Sequence, residues 1–300
     1  MRIRNLLWGA LLLGACVPSF EDRPWLVDEP RILAVTITPA EARPGELVTF
    51  GALAVDVDGP RPDPVGWNYC ARPRTAGERT GVTERCARGE SLEAVSNPGT
   101  LLPDACARFG PNTPPTEGDA PAQRPADPDP SGGYYLPIRA DVGDDNGGTL
   151  AFGFARVRCD LVGVTRAIFD DFEARYTANL NPIIHDVLYD DETFTTAPTA
   201  AAAGSVGTLS VALAIDSFED YVVYIAADGA IEPRAETLTV RWYVTGGELS
   251  VGEAFASPVS REASQVEWTA PDNAGSVAGW VVVADDRGGL AWRDFTIAVQ

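Results

Sequence analysis

Leu238, Val240, Trp242 and Val244 alternate with Thr239, Arg241 and Tyr243. A period of two puts one face of a strand in a core and leaves the other in water. Short segments rich in apolar and β-branched residues recur along the chain. They cover residues 30–35, 47–56, 65–67, 134–142 and 150–158, then 182–187, 209–216, 238–244, 277–284 and 290–299. Turns rich in Pro, Gly and Asp separate them, the pattern of an all-β sandwich. One stretch has a different period. Ile168, Phe169, Phe172 and Tyr176 stand at i, i+1, i+4 and i+8. This spacing predicts a short amphipathic helix within 165–180, with Asp170, Asp171 and Glu173 on its wet side. Asn181-Pro182 then restarts extended chain.

The segments come in the same order twice, so the chain carries an internal repeat. Gly143-Asp144-Asp145-Asn146-Gly147-Gly148-Thr149-Leu150 matches Ala284-Asp285-Asp286-Arg287-Gly288-Gly289-Leu290. Each is a tight Asp/Gly turn between two apolar strands, a hairpin signal. Pro30-Arg31-Ile32-Leu33 opens one copy, and Pro182-Ile183-Ile184-His185 opens the other. A strand containing Trp67 or Trp242 follows in each. A proline-led opening strand, a central Trp strand and a final Asp-Gly hairpin together resemble bacterial immunoglobulin-like modules of the PKD type. The resemblance covers residues 30–67, 133–160 and 182–300. It implies two tandem immunoglobulin-like β-sandwiches, at 30–164 and 182–300, joined by a short helix or ordered linker at 165–181. It is a likeness of architecture and implies no activity.

The first sixteen residues have their own layout. Arg2 and Arg4 precede an apolar run of about ten residues, too short for the roughly 20 that span a membrane. This is the form of a secretory signal. Leu13-Gly14-Ala15-Cys16 resembles the lipobox of bacterial lipoproteins. The resemblance implies a signal peptide over 1–15, a diacylglyceryl thioether on Cys16 and a further acyl chain, such as palmitate, on its amine. Two or more chains hold a protein stably at a membrane. Val17, rather than an acidic residue, follows the cysteine, which in this family points to the outer membrane, with the protein facing the periplasm or the surface. Residues 16–29 contain Pro18, Pro24 and four acidic residues and read as an extended tether. Docking of Trp25 and Leu26 on the first sandwich is the alternative.

Composition narrows the partners. The formal net charge is −20, and loss of Arg2 and Arg4 takes it to −22. Such a chain offers nothing to nucleic acid. All 23 basic residues are arginine. Residues 183–300 hold 18 acidic residues and five arginines, a net of −13, which reads as a solvated face. With Cys16 lipidated, Cys70, Cys86, Cys106 and Cys159 remain, and an even number in an exported chain points to two disulfides. Three of these cysteines lie in an insertion, 68–133, that the second copy lacks. Cys70–Cys159 with Cys86–Cys106 is the first expectation; Cys70–Cys86 with Cys106–Cys159 is the second. Residues 111–133, dominated by Pro, Gly, Asp and Ala, read as a surface loop.

No motif carries catalytic chemistry. His185 is the sole histidine, placed in an opening strand, and no nucleophile elbow accompanies it. Asp144, Asp145, Asp285 and Asp286 are weak calcium candidates. A full calcium loop with its distal Glu is missing, and Asp suits such turns regardless. The sequence thus reads as a lipid-anchored, non-enzymatic envelope protein without a cofactor, structural or adhesive in role. The alternative is a binding module for an envelope polysaccharide or protein partner, as in an accessory subunit of a secretion or envelope complex. A spacer predicts buried aromatics and sandwiches stacked end to end; a binding module predicts exposed Trp or Tyr.

Overall fold

A computed structural model describes residues 23–61, 65–74, 81–110, 133–143, 148–195, 199–256 and 265–300. Cys16, Asp144, Asp145, the signal segment and nearly all of the 111–133 loop lie outside the described residues. The elements run β1 (Arg31–Thr38), β2 (Glu41–Ala42), β3 (Leu47–Asp56), β4 (Gly59–Pro60), β5 (Val65–Cys70), α1 (Glu84–Ala87), β6 (Leu92–Ala94), β7 (Gly99–Thr100), α2 (Ala105–Phe109), β8 (Gly133–Val142) and β9 (Thr149–Arg158). Next comes α3 (Arg166–Arg175). The rest are β10 (Ile184–Tyr189), β11 (Glu192–Thr193), β12 (Thr199–Ala201), β13 (Val206–Leu213), β14 (Asp220–Ile225), β15 (Ala230–Ala235), β16 (Leu238–Val244), β17 (Glu248–Leu249), β18 (Glu253–Ala256), β19 (Gln265–Thr269), β20 (Gly275–Asp285) and β21 (Leu290–Val299).

The C-terminal strands form two facing sheets, ordered β11-β10-β13-β19-β17 and β12-β21-β20-β16-β18. The order is that of an immunoglobulin-like β-sandwich. The first strand serves both sheets: β10 pairs antiparallel with β13, and the chain then crosses so that β12 pairs parallel with β21. The N-terminal strands repeat the device, with β1 on β3 and β2 parallel to β9. Their sheets are β1-β3-β4, with β7 also on β3, and β2-β9-β8-β5-β6. Among the described residues, the strand that β19 supplies beside β13 has no full-length counterpart beside β3, where, besides β1, only the two-residue β4 and β7 pair. There the side chain of Asn97 both accepts from the Phe50 N–H (2.9 Å) and donates to its carbonyl (2.7 Å).

Each set of strands has its own core. Trp67, Tyr69, Phe50, Leu136 and Ile138 pack in one, and Trp242, Trp268, Leu209, Val240 and Ile297 in the other. A third cluster joins the two sets. Trp280 and Val282, on the outer face of β20, pack with Ala34, Leu53 and Val55 of β1 and β3 and with Val27. Strand β20 is therefore buried on both faces, and the two sets lie side by side. This second apolar face needs cover, and β1 and β3 supply it.

Several sequence expectations shift. Residues 23–29 are no free tether. Val27 N–H donates to Val244 O (2.9 Å) and Val244 N–H to Trp25 O (3.0 Å). Val27 is fully buried and Trp25 packs over Gly252. The segment docks between the two sets of strands: it pairs with Val244 of β16, while Val27 packs with Ala34, Leu53 and Val55 and Arg31 donates to Pro24 O (3.1 Å). The insertion begins after Cys70, since residues 68–70 continue β5. The strand expected at 209–216 is β13, shifted toward the N-terminus, and a 3-10 turn at Ile215–Ser217 follows it. The β14–β15 hairpin was not legible. The helix is α3, capped by the Thr165 hydroxyl, which accepts from Ile168 N–H; residues 176–183 are irregular.

Candidate functional site

The Asp/Gly turn between β20 and β21 is the most constrained polar feature described. Asp285 Oδ1 accepts the N–H groups of Arg287 and Gly289, both at 2.8 Å. A Cβ at Gly289 would fall 2.1 Å from Asp285 Oδ2 and 2.7 Å from Leu180 O, so only glycine fits. The turn folds Arg287 inward, where it is 2% exposed. Its Nε donates to Glu236 Oε1 (2.7 Å), one Nη to Glu219 Oε2 (2.6 Å) and the other to Thr177 O (2.8 Å). The guanidinium also lies over the Tyr221 ring, 4.5 Å from its centroid. Glu219 and Glu236 flank the β14–β15 hairpin and are joined by Glu236 N–H to Glu219 O (2.9 Å). That hairpin is an addition between β13 and β16, and β14 packs against α3.

A second buried pair faces this one. Arg156 Nε donates to Glu41 Oε2 at 2.8 Å, with side chains 0% and 2% exposed. Glu41 also accepts from Tyr176 OH (2.5 Å) and Asn179 N–H (3.2 Å). Three links join the pairs. Arg156 donates to Tyr135 OH (3.2 Å), Tyr135 OH donates to Arg287 O (3.1 Å), and Asn179 Nδ2 donates to Asp285 Oδ2 (3.2 Å). Nearby, Arg158 pairs with Glu173 (2.5 Å) and stacks on Tyr176 at 4.0 Å. Asn181 completes the seam, donating to Ile37 O (2.9 Å) and accepting from Leu290 N–H (2.8 Å). The linker, the hairpin and both sets of strands thus meet in one buried network.

Its electrostatics follow from burial. Glu41, Glu219, Glu236 and Asp285 face two guanidiniums. Burial pushes Glu236 up to about 7, against the pull of Arg287. Glu219 and Asp285 are raised for the same first reason, and Tyr176 is raised by burial and then by the Glu41 charge. Shifted groups mark catalytic sites and structural ion networks alike. Here each carboxylate is held by an arginine or by backbone N–H groups, so the arrangement fixes geometry.

The disulfides are Cys70–Cys86 and Cys106–Cys159. This corrects the first expected pairing and matches the second. Cys70 ends β5, and α1 brings Cys86 back over it beside Val82. Helix α2 carries Cys106 to the end of β9, where Cys159 follows. Each bridge therefore ties a short helix of the insertion to the end of a strand. His185 is exposed, and its carbonyl accepts from Arg293 (2.5 Å). Asp285 is turned into the junction, while Asp286 is exposed, with Tyr221 OH at 3.5 Å. The described residues contain no cluster of His, Cys, Asp and Glu arranged to hold a metal. An open groove of about 530 Å³ lies beside Phe50, Trp67 and Val95. Sequence reasoning found the 285–289 turn but missed Glu41, Tyr135, Arg156, Tyr176, Asn179, Glu219, Glu236 and Arg287 as a unit. The one available signal was Arg287 itself, a basic residue in an otherwise acidic turn where the other copy has Asn146.

No family model matches the sequence, and no curated protein matches it. Among solved structures, dimeric latent PorU from Porphyromonas gingivalis is similar at TM-score 0.20 and 10% identity, over 92% of this chain and 24% of that one. E. coli alpha-2-macroglobulin is similar at 0.24 and 11%, over 91% and 17%. Drosophila N-cadherin EC1-4 is similar at 0.20 and 12%, over 91% and 51%. The chain thus spans about a quarter or less of the first two. Overlap at such scores assigns nothing beyond what the strand order already gives.

Proposed function

We propose that the chain is an exported, lipid-anchored envelope protein without catalytic activity, built as two immunoglobulin-like modules held in one fixed arrangement. Residues 30–164 and 182–300 are the modules and 165–181 is the linker. Cys16 carries the lipid at the outer membrane, and the role is structural or adhesive. The observation that carries this reading is the Glu41–Arg156 and Glu219/Glu236–Arg287 junction. An ion network buried between modules costs desolvation and adds little net stability, but it admits one geometry. Trp67, Trp242, Trp268 and Trp280 are all buried, which favours scaffold over aromatic ligand platform. The groove beside Phe50 and Trp67, next to the disulfide-braced insertion, supports the second reading, a binding module for an envelope polysaccharide or protein.

The anchor is tested by fractionation and by incorporation of labelled palmitate. The intact protein is expected in the membrane fraction with label. Cys16→Ala is expected to be unlabelled and soluble, with an unchanged circular dichroism spectrum. For the role, cells lacking the protein are expected to become detergent-sensitive. Rescue by the native chain but not by Arg287→Met supports a structural function, and equal rescue by both refutes the fixed geometry as its basis.

A further inference from the structure

The docked N-terminal segment decides which side of the molecule an anchor at Cys16 holds against a bilayer. Trp25 lies on the C-terminal strands, 3.2 Å from a Cβ built at Gly252, and Trp25 O accepts from Val244 N–H (3.0 Å). From Arg23 back to Cys16 is seven residue steps, about 25 Å when fully extended. A lipid on Cys16 therefore lies within about 25 Å of Arg23, and the segment that leads to it docks beside β16 and β18, more than 200 residues later in the chain. Two large apolar side chains stand exposed there. Val251 adjoins Gly252 and is 48% exposed; Phe255, on the edge strand β18, is 62% exposed. One exposed apolar residue is ordinary. Here two flank Gly252, on which Trp25 packs.

We propose that this edge, carrying Val251 and Phe255, is the surface that seats in the lipid interface; the proposal rests on lipidation at Cys16. The bilayer it fits is zwitterionic. On the segment Asp28 and Glu29 are exposed with Arg23, a net negative charge, and Glu253 is neutralised by Arg241 (2.6 Å). An anionic leaflet repels such a surface.

The test uses the lipidated protein in phosphatidylcholine/phosphatidylethanolamine vesicles. An environment-sensitive label is placed on Phe255→Cys or, as reference, on Leu47→Cys at the far end of β3, where Leu47 is 64% exposed. Nitroxide-bearing lipids are expected to quench the label at 255 at least twofold more than at 47. Equal quenching overturns the proposal while leaving the anchor in place. Flotation with the vesicles, abolished by Cys16→Ala, reads the anchor separately. A protein that does not float loses both readings, and that result differs from one that floats unquenched.

Discussion

Arg287 shows how much one side chain can carry. It sits in the tip of a hairpin, where an exposed arginine is worth little. Turned inward, it becomes the cation that bridges Glu219 and Glu236. Removing one partner of a buried pair leaves the others charged and unpaired, at a cost of about 3–5 kcal/mol. Arg287→Met is therefore expected to lower the urea midpoint strongly, while Arg241→Ala, at an exposed pair, costs under about 1 kcal/mol. Equal losses in the two variants refute a special place for Arg287. Titration at the same site has a definite sign. Glu236 is raised from 4.5 to about 7, so the folded state binds its proton more tightly than the unfolded state does. The stability this contributes is fully present below about 4.5 and is lost as pH rises through about 7. Glu219 and Asp285 are raised too and act in the same direction. The melting temperature is expected to be higher at pH 5.5 than at pH 8. A melting temperature that rises with pH across this window contradicts the buried, acid-rich junction.

At the scale of elements, the two bridges brace different things. Cys70–Cys86 closes a separation of 16 residues, and Cys106–Cys159 one of 53. Chain entropy gives about 3 and about 4 kcal/mol for loops of these lengths. Replacing Cys106 and Cys159 by Ser is expected to destabilise more than replacing Cys70 and Cys86, as read by denaturant midpoints. The reverse order means that strain or residual structure outweighs loop length. The elements also show what a sequence makes legible. Strands β16 and β21 were legible to the residue, because alternation on a half-buried strand is local information. The β14–β15 hairpin was invisible for a physical reason. Val222 and Val223 are adjacent and both buried, so the period of two is broken where a strand packs on both faces. In β20 the same cause left a readable trace. The run Trp280-Val281-Val282-Val283 has no wet face, which implies cover on both sides without naming the cover. The junction left no trace. Glu236 and Glu219 lie 51 and 68 residues from Arg287, and Glu41 lies 115 from Arg156. Nothing in local pattern joins residues so far apart.

For the whole molecule, the question is whether the side-by-side packing holds in solution. Two forces keep it. The apolar seam puts Trp280 at 0% and Val282 at 1% exposure against Leu53 and Val55. The polar network surrounds the linker, and Thr36 Oγ1 donates to Leu290 O (2.9 Å) between them. Apolar burial supplies the stability here, whereas the ion network mainly selects the geometry. The two contributions separate by mutation. Val282→Asp places an uncompensated carboxylate in the seam without touching the inner face of β20, where Val281 and Val283 fill the C-terminal core. It is expected to part the two sets of strands while each keeps its own core. Small-angle scattering then shows a larger radius of gyration, with a near-native far-UV spectrum. Arg287→Met is expected to do less to the radius, because the seam remains, but to speed hydrogen exchange at 285–290 and 177–181. If Val282→Asp unfolds the chain in one step, the two cores do not stand independently, and the seam belongs to a single folding unit. A compact radius with native stability instead contradicts the burial of Val282. Only separation with both cores intact is consistent with two modules held by a seam and a lock.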